Sequence, residues 1–349
     1  MPKVRTETTR LRSLGVAGIV TLCVLLVAAS SKAATPLAPV GGPSATELLP
    51  LPSKALCKKA HYKIGYDVFS DSQPFANLVT TGLVKAAQAT GCATIVKTVD
   101  NINGPVAVGN LKTLVNEGID GFVDFQILAP YQPAIARELK AAGIPGVAIV
   151  GANLPGSPDV GADNYTAAYD EGIYLAAQAK HLFPGQIPYV LGGAEPTSGP
   201  IIMERYHGAV AGEKKVFPNL PSNHVIEVVT DGTETTAYNN TLSALSAVPA
   251  GAVVLLTGAN DEVTAGMAKA AQTRGVSHAL VNSFGGDPYG LHQVCTNAHY
   301  VGAWYLEPEV WGQQALTAIM EQINGLKVQK LIGVVGEEVT HSTSWLHCK

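Results

Sequence analysis

Polar and aromatic residues recur in one kind of place in this sequence, just after short apolar runs that read as β-strands. Gln73 and Phe75 follow the run from Tyr62 to Val68, Phe125 and Gln126 close the run that begins at Gly121, and Asn153 follows Ile144 to Val150. Asn260 and Asp287 follow Val253 to Thr257 and Ala279 to Ser283 in the second half of the chain. Asn and Gln donate and accept hydrogen bonds at once, Asp accepts from two donors, and a Phe ring offers a flat apolar face. Such a set holds a small molecule with an apolar face and a polar rim. Each residue also has a structural use. Phe75 and Phe125 can be core residues, Asp287 a turn residue before Pro288, and Asn260 a helix cap. Asp261 can cap in its place, which leaves Asn260 for a ligand.

Bond-making chemistry has no comparable support. There is no Gly-x-Ser-x-Gly elbow, His-Glu-x-x-His pair, Gly-x-Gly-x-x-Gly turn or phosphate loop. The nine His residues make no ligand-spaced pair on one helix, and Cys57-x-x-x-His61 and Cys295-x-x-x-His299 match no zinc framework. No enzyme activity, cofactor or metal is expected.

The elements that position these residues alternate. Strand patterns at 62–68, 93–99, 121–125 and 144–150 are interleaved with helical patterns at 75–90, 106–117 and 130–142. The alternation restarts after residue 167, with strands at 187–191, 225–230, 253–257 and 279–283 between further helices. Two such runs predict an α/β protein with two doubly wound parallel-sheet domains. Open parallel sheets bind ligands at the carboxyl ends of their strands, which is where the polar and aromatic residues fall.

The first residues read as an export signal, with Lys3, Arg5, Arg10 and Arg12 before an uncharged apolar stretch from Leu14 to Ala29, and small residues at Ser31 and Ala33. Leu22 before Cys23 is too bulky for lipoprotein cleavage. Cleavage after residue 33 places the protein in the periplasm or at the cell surface, with residues 34–56 as a flexible Pro/Ala/Gly leader. Roughly 290 residues remain, enough for two modest domains. Losing residues 1–33 removes five basic residues and one acidic one and takes the formal charge from −4 to −8, which excludes the basic footprint of a nucleic-acid binder. Cys57, Cys92, Cys295 and Cys348 remain, an even number in an exported chain, which predicts disulfides. Cys57 and Cys92 each precede a predicted strand, and neighbouring strands would pair them, leaving Cys295 for Cys348.

Short motifs then occur in a characteristic order. Gln73-Pro74-Phe75, Glu117-Gly118-Ile119-Asp120-Gly121, Ala142-Gly143-Ile144-Pro145 and Ala162-Asp163-Asn164 are followed by Glu204-Arg205-x-x-Gly208, Ala259-Asn260-Asp261-Glu262, Gly285-x-Asp287 and Pro308-x-x-x-Gly312. In this order over about residues 62–315, the chain resembles the type I periplasmic binding proteins, in the ribose-binding branch. The resemblance implies two domains joined by a three-crossing hinge, with a ligand held between them and released unchanged. The domains would comprise 57–161 plus about 306–334, and 162–305 plus about 335–349. It implies a monomeric solute-binding protein of an ABC-type importer, closing on a small sugar or polyol and presenting it to a membrane permease. A sensory protein serving a chemoreceptor or sensor kinase, or a binder of a non-sugar solute, is the alternative. It adds Arg205 and Tyr305 to the expected ligand contacts. Where the family often carries an Asp-Arg pair this chain has Val150-Gly151, where it carries an Arg it has Met203, and where it carries a hinge Gln it has Leu306. With the charged pair and the Arg gone, the cleft is expected to lack three strong hydrogen-bonding groups and not to prefer ribose.

Overall fold

Two six-stranded sheets account for the β-branched and aromatic runs. The computed structural model describes residues 48–150, 154–334, 336–343 and 346. The expected signal segment, Asn153 and Cys348 lie outside them. The first sheet contains β1 (Tyr62–Val68), β2 (Ala93–Val99), β3 (Gly121–Phe125), β4 (Gly146–Ile149), β5 (Asp159–Gly161) and β11 (Leu331–Gly333), in the order β11-β5-β4-β3-β1-β2 and parallel throughout. The second contains β6 (Tyr189–Ala194), β7 (Val225–Val229), β8 (Val254–Thr257), β9 (Ala279–Gly285), β10 (Tyr300–Tyr305) and β12 (Glu337–Val339), in the order β12-β10-β9-β8-β6-β7. It is parallel except where β12 runs against β10. Each sheet begins with the same winding, and the chain passes between them three times, after β5, after β10 and between β11 and β12. This is the two-domain α/β architecture expected from the alternation.

Helices α1 (Pro74–Thr90), α2 (Gly104–Asn116) and α3 (Gln132–Ala142) follow the first three strands, and α9 (Pro308–Ile323) returns from the second domain to complete the first. Helices α4 (Asn164–Leu182), α5 (Pro200–Val216), α6 (Glu234–Ala244), α7 (Asp261–Thr273) and α8 (Pro288–Thr296) serve the second sheet. Central strands covered on both faces are buried along their length, as in β3 and β9, whereas the edge strands β2 and β7 are mostly half-exposed.

Glycine sets how closely α1 and α9 approach. A methyl at Gly82 would sit 2.0 Å from the Glu309 carbonyl oxygen, and one at Gly312 would sit 2.1 Å from that of Val79. The two backbones are in contact, and the rest of α9 then buries Trp311, Ala315, Leu316 and Ile319 against the first sheet.

The segment from residue 48 to 56 departs from the flexible leader expected there. Leu49 N–H donates to Gln314 Oε1 at 2.7 Å, and Gln314 Nε2 donates back to the Leu49 carbonyl at 3.0 Å. Thr317 Oγ1 and Asn324 Nδ2 donate to the carbonyls of Pro50 and Leu56. Side chains on α9 and at its C-cap thus satisfy backbone groups of a segment whose own composition promises no structure. Cys57 and Cys92 form the expected disulfide, with Cα atoms 6.1 Å apart, tying this segment to the start of β2. Cys295 is also disulfide-bonded.

Candidate functional site

A cavity of about 340 Å³ lies where the carboxyl ends of the two sheets face each other. Its wall on the first sheet is apolar. Phe69, the residue after β1, packs edge-on against Phe125 at the end of β3, with ring centroids 4.9 Å apart. Phe75, in the first turn of α1, packs edge-on against the fully buried Trp311 of α9 at 5.1 Å. Ile102, Ile127 and Val150 extend this wall. Ile102 and Val150 have φ of 57° and 58°, left-handed conformations that cost a β-branched residue of order 1–3 kcal/mol. Two strained residues on one cavity wall mark it as shaped by something other than local stability.

The wall on the second sheet is polar and carries charge. Arg205, on α5 and 8 % exposed, donates from Nε to Asn164 Oδ1 at 2.7 Å and from an Nη to the Ala259 carbonyl at 2.5 Å. Its guanidinium lies 5.0 Å above the Phe284 ring centroid. Burial pushes its pKa down to about 10, against the pull of Glu195, Asp261 and Glu171. Glu195, in the loop after β6, accepts from Ser198 Oγ at 3.3 Å and from Asn260 Nδ2 at 3.2 Å. Burial raises its pKa and the Arg205 charge opposes that rise. Asp261 accepts the Ser283 hydroxyl and, at 2.8 Å, the Asp287 N–H, and burial together with the Asp287 charge raises its pKa well above the ordinary value. Glu262, in the first turn of α7, is pushed up to about 7 by burial. Across the cavity, Gln73 Nε2 donates to Glu262 Oε2 at 3.3 Å and so joins the two walls.

Of the residues expected from sequence, Gln73, Phe75, Phe125, Arg205 and Asn260 line this cavity. Three do not. Phe125 and Gln126 are adjacent, so their side chains take opposite directions. Phe125 faces the cavity, while the fully buried Gln126 donates to Asp100 Oδ2 at 2.9 Å and accepts the Leu128 N–H. Asp287 caps α8, accepting the Gly290 N–H at 2.7 Å, and its own N–H is bound by Asp261. Tyr305 packs over the bare backbone of Gly286, where an added methyl would lie 2.2 Å from its ring. Asn153 lies outside the described residues. Asn260 lines the cavity but is the N-cap of α7, accepting the Val263 N–H at 2.8 Å, so Asp261 does not take that role. Arg205 is buried, not on a solvated helix face. Phe69, Glu195, Asp231, Glu262 and Phe284 line the cavity without having been singled out. All of them stand in or beside loops that follow strands, the same positional signal that found the others.

A periplasmic binding protein domain model matches residues 64–327. The chain belongs to that family. Solved structures of low sequence identity share its fold. An ABC transporter solute-binding protein from Mycobacterium smegmatis with bound glycerol superimposes with a TM-score of 0.70 at 17 % identity, covering 83 % of this chain and 97 % of that one. One from Actinobacillus succinogenes with bound D-allose gives 0.66 at 18 % identity, covering 80 % and 98 %. The fructose-binding periplasmic domain of a hybrid two-component system gives 0.71 at 18 % identity, covering 82 % and 93 %. No curated protein matches the sequence. The cavity of this periplasmic binding protein lies at the carboxyl ends of its strands, where open parallel sheets commonly bind ligands. No helix among the described residues is long and apolar enough to cross a membrane.

Proposed function

We propose that the protein is an exported solute-binding component of an ABC-type importer that closes on a small sugar or polyol and delivers it unchanged to a membrane permease. The observation that carries this reading is the cavity itself. One wall offers the rings of Phe69, Phe75 and Phe125, the other fixed polar groups from α5 and α7, and Gln73 links them. A ring with an apolar face and a hydroxyl rim fits between such walls. About 340 Å³ lies at the small end of ligand cavities, which suits a monosaccharide better than an oligosaccharide. Gln73, Phe75, Phe125, Arg205 and Asn260 are the contacts of this reading, with Glu195 and Glu262 added. Binding closes the domains about the three crossings, a hinge transition that a permease can recognise. The protein acts as a monomer and performs no catalysis.

Thermal-shift screening against pentoses, hexoses, deoxysugars and polyols tests this, followed by amino acids and nucleosides. Stabilisation by the second group alone would remove the sugar claim and keep solute binding. The likeness to a fructose-binding domain of a two-component system favours one second reading, a sensory protein docking a receptor. Co-purification with a permease favours import, and with a sensor kinase favours sensing.

A further inference from the structure

The acidic residues on the second wall are not equivalent. Glu234 meets Lys269 at the surface, and Asp231 is occupied by the Thr233 and Thr236 hydroxyls and the Thr233 N–H. Asp261 holds Ser283 and the backbone of Asp287, and Glu195 has an accepted hydrogen bond on each oxygen. Glu262 differs. Its Oε2 accepts from Gln73, but its Oε1 is buried with no hydrogen-bond partner, and so is Gln73 Oε1. Two residues that line the cavity and bond each other across it thus each keep one acceptor without a hydrogen-bond partner. Arg205 does not fill the need: it hydrogen-bonds Asn164 and Ala259 and is not among the groups that act on Glu262.

We infer that the ligand carries a protonated amine beside its hydroxyls, bound between Glu262 and Gln73. This rests on the proposed function and narrows it to an amino sugar or amino polyol. A hydroxyl has one hydrogen to donate, whereas an ammonium has three, enough for both free acceptors and one more. The charge matters as much as the count. A carboxylate held in a largely buried wall is costly until a cation meets it, and burial raises the Glu262 pKa in the way that signals this cost. The rings of Phe75 and Phe125 line the same cavity, and aromatic rings attract cations. A rival arrangement satisfies the same atoms without a cation, with a protonated Glu262 donating to a turned-over Gln73 amide. It predicts that neutral and amino ligands bind alike.

Calorimetry on the purified exported protein at near-neutral pH separates the two. The probes are D-glucosamine, D-galactosamine and the open-chain glucamine, each against its neutral counterpart, D-glucose, D-galactose and sorbitol, with N-acetyl-D-glucosamine as the uncharged amide control. At least one amine is expected to bind about tenfold or more tighter than its neutral counterpart, and Glu262→Gln to abolish most of that preference. Gln73→Met, at the half-buried N-cap of α1 where the side chain makes no capping bond, is expected to weaken the same amine and serves if Glu262→Gln melts early. Neutral sugars binding as well as amines, or a preference unchanged in both variants, would overturn the inference and leave the proposed function standing. Binding by neither set would overturn the sugar and polyol reading itself, and the inference with it.

Discussion

Replacing Arg205 with Met tests whether the second wall is held by a buried cation. Met keeps the length and removes the charge. Two hydrogen bonds from a charged donor are lost, each worth about 1.5–3 kcal/mol, together with the stacking on Phe284, worth about 1–2 kcal/mol. Against this stands the desolvation of the guanidinium, which outweighs the pull of the nearby carboxylates and leaves a net pKa drop from 12.5 to about 10, of order 3 kcal/mol. The expected net loss is therefore roughly 3 kcal/mol, in the range for breaking a buried charge pair. Urea unfolding followed by tryptophan fluorescence measures it, since Trp311 is fully buried in the native state. The pH dependence is the stricter test. Arg205 opposes the rise that burial imposes on the Glu195 pKa, so without it the folded carboxyl climbs further above its unfolded value. The native state then holds an extra proton over a wider range, and stability falls more steeply as pH rises. The loss should be larger near about pH 8 than near about pH 5. A loss below about 1 kcal/mol, or an equal loss at both, would refute the charge-pairing account.

Wild-type stability should itself decline as pH rises through neutrality, because burial raises Asp67, pushes Glu262 up to about 7 and pushes Glu338 up to about 8, and each binds its proton more tightly folded than unfolded. Calorimetric melting near about pH 5 and about pH 8.5 checks this, and a higher melting temperature at the alkaline end would contradict it. Cys92→Ser opens a loop with a sequence separation of 35 and should cost about 3–4 kcal/mol, read from denaturant midpoints under non-reducing conditions. Gly312→Ala forces α1 away from α9, should cost about 1–3 kcal/mol, and should weaken ligand binding as well, because Phe75 rests on Trp311.

The β-α alternation carries most of the fold, since each strand is a short apolar run and helices such as α1 and α3 end at Gly91 and Gly143, both left-handed. The loops of the site are legible for the same reason. The individual contacts are less so, because a strand end fixes a position but not the direction of a side chain. Gln126 illustrates this: its neighbour takes the cavity and it turns to Asp100. Asn260 and Asp287 show a second cause, as each is used by the helix it starts. The carboxylates of the second wall were hidden because acidic residues in loops and in the first turns of helices ordinarily face water, and the burial of Glu195 and Glu262 arises from packing between distant segments.

Because α9 and β11 reach the first sheet only after the chain has traversed the second, the order of synthesis and the order of completion differ. A growing chain with its first 300 or so residues has β1 to β5 in hand but lacks the helix that covers β3 and β4 and meets α1. Leu83, Ala86 and Val123 stay uncovered on that face until residues 308–323 arrive. The half made first is thus the half finished last. On the proposed export, the chain passes the final stage of its release with an open apolar surface, the stage at which proteases and chaperones outside the membrane have access to it.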